Sequence, residues 1–81
     1  MIEVARIYRT SNGSLKAFVD VIINSQVLVK GVKLVGNRDG ELFVAMPKQQ
    51  GKNGRWYETI SLLDEELKQE LQEVILEAYH V

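Results

Sequence analysis

The sequence predicts an α+β fold. The expected architecture is an antiparallel sheet of four to five strands, with a C-terminal amphipathic helix packed on one face, in a single dimer-forming domain spanning residues 1–81. Three observations predict it. Leu15 to Ile23 alternates with a period of two, the signature of a strand. Turn clusters of Gly, Asn, Asp and Ser punctuate the chain at short intervals as far as Gly54. After Ser61 the apolar period lengthens to that of a helix, and no glycine or proline interrupts the run.

The elements follow in order. Ile2 to Arg9 is a first strand whose apolar residues Val4, Ile7 and Tyr8 break strict alternation, which predicts an edge position or a bulge. Ser11-Asn12-Gly13-Ser14 is a turn, because Asn-Gly readily takes positive φ. In the second strand Leu15, Ala17, Val19, Val21 and Ile23 share one face. Phe18 and Ile22 make the other face only partly polar, so a partner subunit is expected to cover part of it. Asn24-Ser25 is a turn, and Val27 to Val35 is a third strand in which Gly31 predicts a bulge. Gly36 to Gly40 is a turn that lacks the ligand spacing of a calcium loop. Leu42 to Pro47, nearly all apolar, reads as a fourth strand buried on both faces and ended by Pro47, which has no N–H to donate. Lys48 to Gly54 is expected to be an exposed loop, and Arg55 to Ile60 a fifth strand that completes a hairpin with the fourth.

Ser61 followed by Asp64 approximates a capping box for the helix, and Asp64, Glu65 and Glu66 suit the positive end of the macrodipole. Leu63, Leu67, Leu71, Val74 and Ala78 form its apolar stripe, widened by Leu62, Ile75 and Tyr79. Glu66, Glu70, Glu73 and Glu77 align on another face, read as solvated or as a docking surface for a basic partner.

Composition narrows the function. A hydrophobic content of 46% predicts a folded chain, and the absence of cysteine rules out disulfides and thiolate metal sites. A small core without staples often relies on a second subunit, hence the expected homodimer. No apolar run suits a membrane span or an export signal, so a cytoplasmic location is expected. Residues 1–55 hold nine cations and four anions, whereas residues 56–81 hold one cation and seven anions. This asymmetry reads either as a basic binding face or as attraction between the two halves. The only histidine, His80, is penultimate, and no serine sits in a nucleophile elbow. No phosphate-binding or dinucleotide glycine motif occurs. Neither catalysis nor a metal or cofactor is expected.

The candidate site is therefore the stretch after Pro47. Lys48, Lys52 and Arg55 supply cations for phosphates. Trp56 and Tyr57 beside them offer aromatic faces that can pack below the loop or stack on an unpaired base.

The chain resembles the stage V sporulation protein G (septation regulator) family. Leu42-Phe43-Val44-Ala45-Met46-Pro47 reads like that family's Leu-Phe-Val-Ala-Met-Pro signature. Gly54 and Trp56 match its glycine-x-aromatic, and Tyr79-His80 resembles its ending. Ala5-Arg6-Ile7 and Val32-Lys33-Leu34-Val35 keep its pattern of a cation among apolar residues. The resemblance implies a small, cytoplasmic, dimeric, non-enzymatic regulator that binds DNA or RNA and influences sporulation, septation and gene expression. It also exposes a departure. The family's pair of basic residues, linked to nucleic-acid binding, falls here on Gln49 and Gln50. Amides can bond to phosphate oxygens or base edges but release no counterions. The expected nucleic-acid-binding residues are Lys48, Gln49, Gln50, Lys52, Arg55 and Trp56, extended by Arg6, Arg9 and Lys33 if their strand faces agree. The rival expectation is a protein-interaction module that uses Glu66, Glu70, Glu73 and Glu77 or an open sheet edge, without nucleic acid.

Overall fold

The computed structural model describes residues 1–81. Four strands form one antiparallel sheet in the order β1-β2-β3-β4: β1 (Ile2–Asn12), β2 (Leu15–Ile23), β3 (Val27–Gly36) and β4 (Leu42–Ala45). A separate two-stranded hairpin follows, β5 (Lys48–Gln50) with β6 (Trp56–Glu58), and then helix α1 (Glu65–Tyr79). The α+β class, the antiparallel sheet and the C-terminal helix against it agree with the sequence expectation.

Turn chemistry sets the register. Asn24 and Ser25 both take positive φ, and the Gln26 N–H closes the turn onto the Ile23 carbonyl at 3.0 Å. This is the mirror-image turn that suits the strand twist. Gly31 at φ +81° marks the expected bulge, where pairing moves from Val19↔Val32 to Val21↔Val29. The Gly31 N–H left out of the ladder donates to Asp20 Oδ1 at 3.1 Å. β1 is an edge strand, and its pairing shifts between Val4 and Arg6, as the broken alternation predicts.

The core lies between the sheet and α1. Ala17, Val19 and Val21 of β2, Val29, Val32 and Leu34 of β3, Ile2, Leu71 and Ile75 bury together. Fully burying one such aliphatic side chain stabilises the fold by about 1.5–3 kcal/mol. Pairing places Tyr8, Phe18, Ile22, Leu28, Val35 and Phe43 on the opposite sheet face, which no element of the chain covers. No helix is long and apolar enough to cross a membrane.

Several expectations are corrected. β1 runs on to Asn12, so its turn is confined to Gly13 and Ser14. β4 ends at Ala45 and is the other edge of the sheet, with Phe43 43% exposed, so it is not buried on both faces. The next strand does not pair with β4. Pro47 offers no N–H, and its carbonyl instead accepts from the Thr59 N–H at 2.9 Å, closing the base of a new hairpin. Asp64, not Ser61, caps the helix: its Oδ1 accepts from the Glu66 N–H at 2.9 Å. The Ser61 hydroxyl donates to Glu58 Oε1. The helix therefore starts at Glu65, and Leu63, expected in the apolar stripe, is 91% exposed.

Candidate nucleic-acid interface

The hairpin after Pro47 carries Lys48, Gln49, Gln50, Lys52, Arg55 and Trp56. Lys48, Gln49 and Gln50 lie in β5, not in a loop, opposite Glu58, Tyr57 and Trp56 respectively. Side chains alternate across a strand, so Lys48, Gln50, Trp56 and Glu58 share one face while Gln49 and Tyr57 share the other. Gln49 and Gln50 therefore point to opposite sides. Lys52 and Arg55 flank the tip.

The tip is tightly organised by its own bonds. The Gly51 N–H donates to the Arg55 carbonyl at 2.8 Å, and the Gly54 N–H to the Gly51 carbonyl at 3.0 Å. Asn53 Oδ1 accepts from the Arg55 N–H, and Gln50 Nε2 donates to the Gly54 carbonyl. Gly54 sits at φ +82°, a conformation that favours glycine. Tyr57 lies against Gly51 so closely that a Cβ there would meet its Cε2 at 2.9 Å. Asn53 Nδ2 donates to the Tyr57 hydroxyl at 2.8 Å. The sequence analysis places Gly51 and Asn53 only within an exposed loop, Lys48 to Gly54. Their role in fixing Tyr57 depends on cross-hairpin pairing, which spacing alone does not encode.

Trp56 is 64% exposed, so it does not pack beneath the hairpin. Its indole stands beside Lys48 and Gln50, open to a planar ligand. Lys48, Lys52 and Arg55 are exposed, and none makes an ion pair. Glu58 is the one carboxylate on the Trp56 face.

The outlying cations divide. Arg6 and Lys33 pair with Asp20 and Phe18, which places them on the uncovered sheet face. Arg6 donates to the Tyr8 hydroxyl at 3.0 Å, and that bond, with Tyr8's charge and then Asp20's, raises its pKa above the ordinary value. Arg9 is committed elsewhere. It donates to the Ala78 and Tyr79 carbonyls at 3.2 and 2.7 Å and lies over the Tyr79 ring, holding the C-terminal end of α1. A cation there complements the macrodipole.

The acidic helix face also divides. Glu66, Glu73 and Glu77 are exposed, but Glu70 is half-buried, and its Oε2 accepts from the Ile2 N–H at 2.7 Å. The Met1 ammonium lies 3.9 Å from the same oxygen. Glu70 thus tethers β1 to the helix and is not part of a free carboxylate stripe.

A family model for SpoVG matches residues 1–81. Similar proteins include one from Archaeoglobus fulgidus, named "Putative septation protein SpoVG", 33% identical over 79 residues, covering 96% of this chain and 92% of its own. Proteins of the same name from Clostridium novyi and Clostridioides difficile are 29% and 28% identical. They cover 89% and 88% of this chain and 71% and 76% of their own lengths.

Proposed function

The chain belongs to the SpoVG family of septation proteins, and from that premise we propose that it is a homodimeric regulator of septation and gene expression that binds DNA or RNA through the β5–β6 hairpin. The observation that carries this reading is the exposed face of that hairpin, where Lys48 and an open Trp56 indole stand together with Lys52 and Arg55 at the tip. The three cations bind phosphates and release counterions. Gln49 and Gln50 add polar contacts on the two faces, and Trp56 stacks on an unpaired base. The acidic helix keeps polyanions away from the remainder of the surface and so helps confine them to the hairpin.

The uncovered sheet face supports the dimer. Tyr8 and Leu28 are about half exposed, and Phe43 nearly so. Apolar groups in that number on one face favour burial by a second copy. Two protomers present two hairpins, so one ligand strand that reaches both gains from the raised effective concentration.

The test is the triple substitution Lys48→Ala, Lys52→Ala, Arg55→Ala, read by fluorescence anisotropy with labelled DNA and RNA. All three sites are exposed, so folding is retained. Binding is expected to weaken on the order of 10- to 100-fold at moderate salt. Unchanged affinity removes the hairpin from the mechanism.

A further inference from the structure

The two edges of the main sheet are built differently. β1 carries Glu3, Arg6 and Arg9, and its pairing breaks twice, features that blunt an edge against further strands. β4 carries Leu42, Phe43, Val44 and Ala45, with no charge, and its pairing with β3 is unbroken. The Gly36 N–H bonds back to Ser14, and the Asn37 N–H bonds to the Glu41 carbonyl. That phase turns the backbone of Phe43 and Ala45 toward β3 and the N–H and C=O of Leu42 and Val44 outward. Neither Leu42 nor Val44 makes a hydrogen bond beyond its strand.

A cleft of about 640 Å³ lies along this edge, walled by β4, the β5–β6 hairpin and α1. Met46, Leu62 and Leu71 give it an apolar surface. Lys48, Lys68 and Gln72 supply its polar side. Lys48 makes no ion pair, and Lys68 has only an exposed partner, Glu65 at 3.1 Å, a pairing worth little and easily exchanged. Glu58 also lines the cleft, but against Lys48 and Lys68 this single carboxylate leaves the lining with a net positive charge.

We propose that this edge and cleft take an extended peptide segment from a protein partner, which adds as a strand to β4. Its backbone bonds to Leu42 and Val44, alternate apolar side chains enter the cleft, and a flanking acidic residue meets Lys48 or Lys68. Strand addition of this kind draws affinity from the main chain and specificity from the pockets beside it. Walls on three sides favour a single extended segment over a second folded copy, whose edge strand brings its own sheet and helix with it. The site is separate from the nucleic-acid reading, with which it shares only Lys48.

The probe is a fluorescein-labelled nonapeptide of alternating valine and threonine with aspartate at both ends, added to nuclease-treated protein. Saturable anisotropy is expected, together with slowed hydrogen exchange at the Leu42 and Val44 amides. Val44→Pro removes an outward N–H without taking one from the β3 ladder, and should abolish binding. Lys68→Glu, an exposed change that leaves folding intact, should weaken it about fivefold. Lys52→Ala with Arg55→Ala should leave peptide binding unchanged while weakening nucleic-acid binding, so the two readings fail separately. Three results would overturn the proposal: no saturation up to millimolar peptide, binding without protection of those amides, or their protection by rising protein concentration alone, which would assign the edge to a second copy.

Discussion

Replacing Glu70 with alanine tests whether the tether between β1 and α1 holds the fold together. Its Oε2 accepts from the Ile2 N–H at 2.7 Å in a partly buried setting, and Ile2 itself is in the core. A hydrogen bond to a charged group contributes about 1.5–3 kcal/mol, and the orphaned N–H adds to the loss. Alanine is the better helix former, so intrinsic propensity works slightly against the effect and cannot cause it. The expected net cost is about 1.5–3 kcal/mol. For a domain of this size that lowers Tm by roughly 6–24 °C at 4–8 °C per kcal/mol. The assay is thermal unfolding by circular dichroism at one fixed protein concentration, since association would shift Tm. Glu73→Ala is the control, exposed and without a hydrogen-bond partner, and should stay within about 0.5 kcal/mol of the parent. Glu70→Gln keeps an acceptor and should fall between the two. Equal Tm values for the Glu70→Ala and Glu73→Ala proteins would refute the tether.

Three further outcomes follow from the same structure. Ile75→Ala, at a site with no exposure, should cost about 2–5 kcal/mol in urea unfolding, against about 1 kcal/mol for Ile75→Val. Gly31→Ala should cost about 1–2 kcal/mol through backbone strain alone, because nothing lies within 4 Å of the added Cβ; an unchanged midpoint would contradict the bulge geometry. Asp64→Ala should lose about 1 kcal/mol as a helix cap while Ser61→Ala loses far less, and the reverse order would restore Ser61 as the cap.

Much of the fold could be read from the chain because local chemistry dictates it. Leu15 to Ile23 alternates cleanly and forms β2 with the predicted bounds. Asn24-Ser25, Gly31 and Gly40 adopt the positive φ values that their surroundings require. The errors fall where a choice of partner decides the outcome. Pro47 signalled the end of a strand, but nothing in the period says that the next strand will pair with Lys48–Gln50 and not with Leu42–Ala45. The apolar composition of β4 reads as burial on both faces, yet its position at the sheet edge leaves one side open. Trp56 is as consistent with a core as with a platform until its place in the two-stranded hairpin leaves it exposed. Glu70 and Arg9 resemble ordinary surface charges, and their bonds to Ile2 and to the end of α1 span most of the chain. The six candidate residues are close in sequence and fall on one hairpin, whereas the opposite facing of Gln49 and Gln50 required the register.

The most direct test of the hairpin as a nucleic-acid site is anisotropy of labelled duplex DNA and single-stranded RNA, titrated with the protein across a salt series. Three phosphate contacts per protomer in the proposed dimer predict saturable binding to duplex DNA, with a log–log salt slope of about −5. The triple alanine variant at Lys48, Lys52 and Arg55 should flatten that slope toward zero. Folded protein that binds neither ligand at low salt, or a steep slope that survives the triple substitution, would contradict the account.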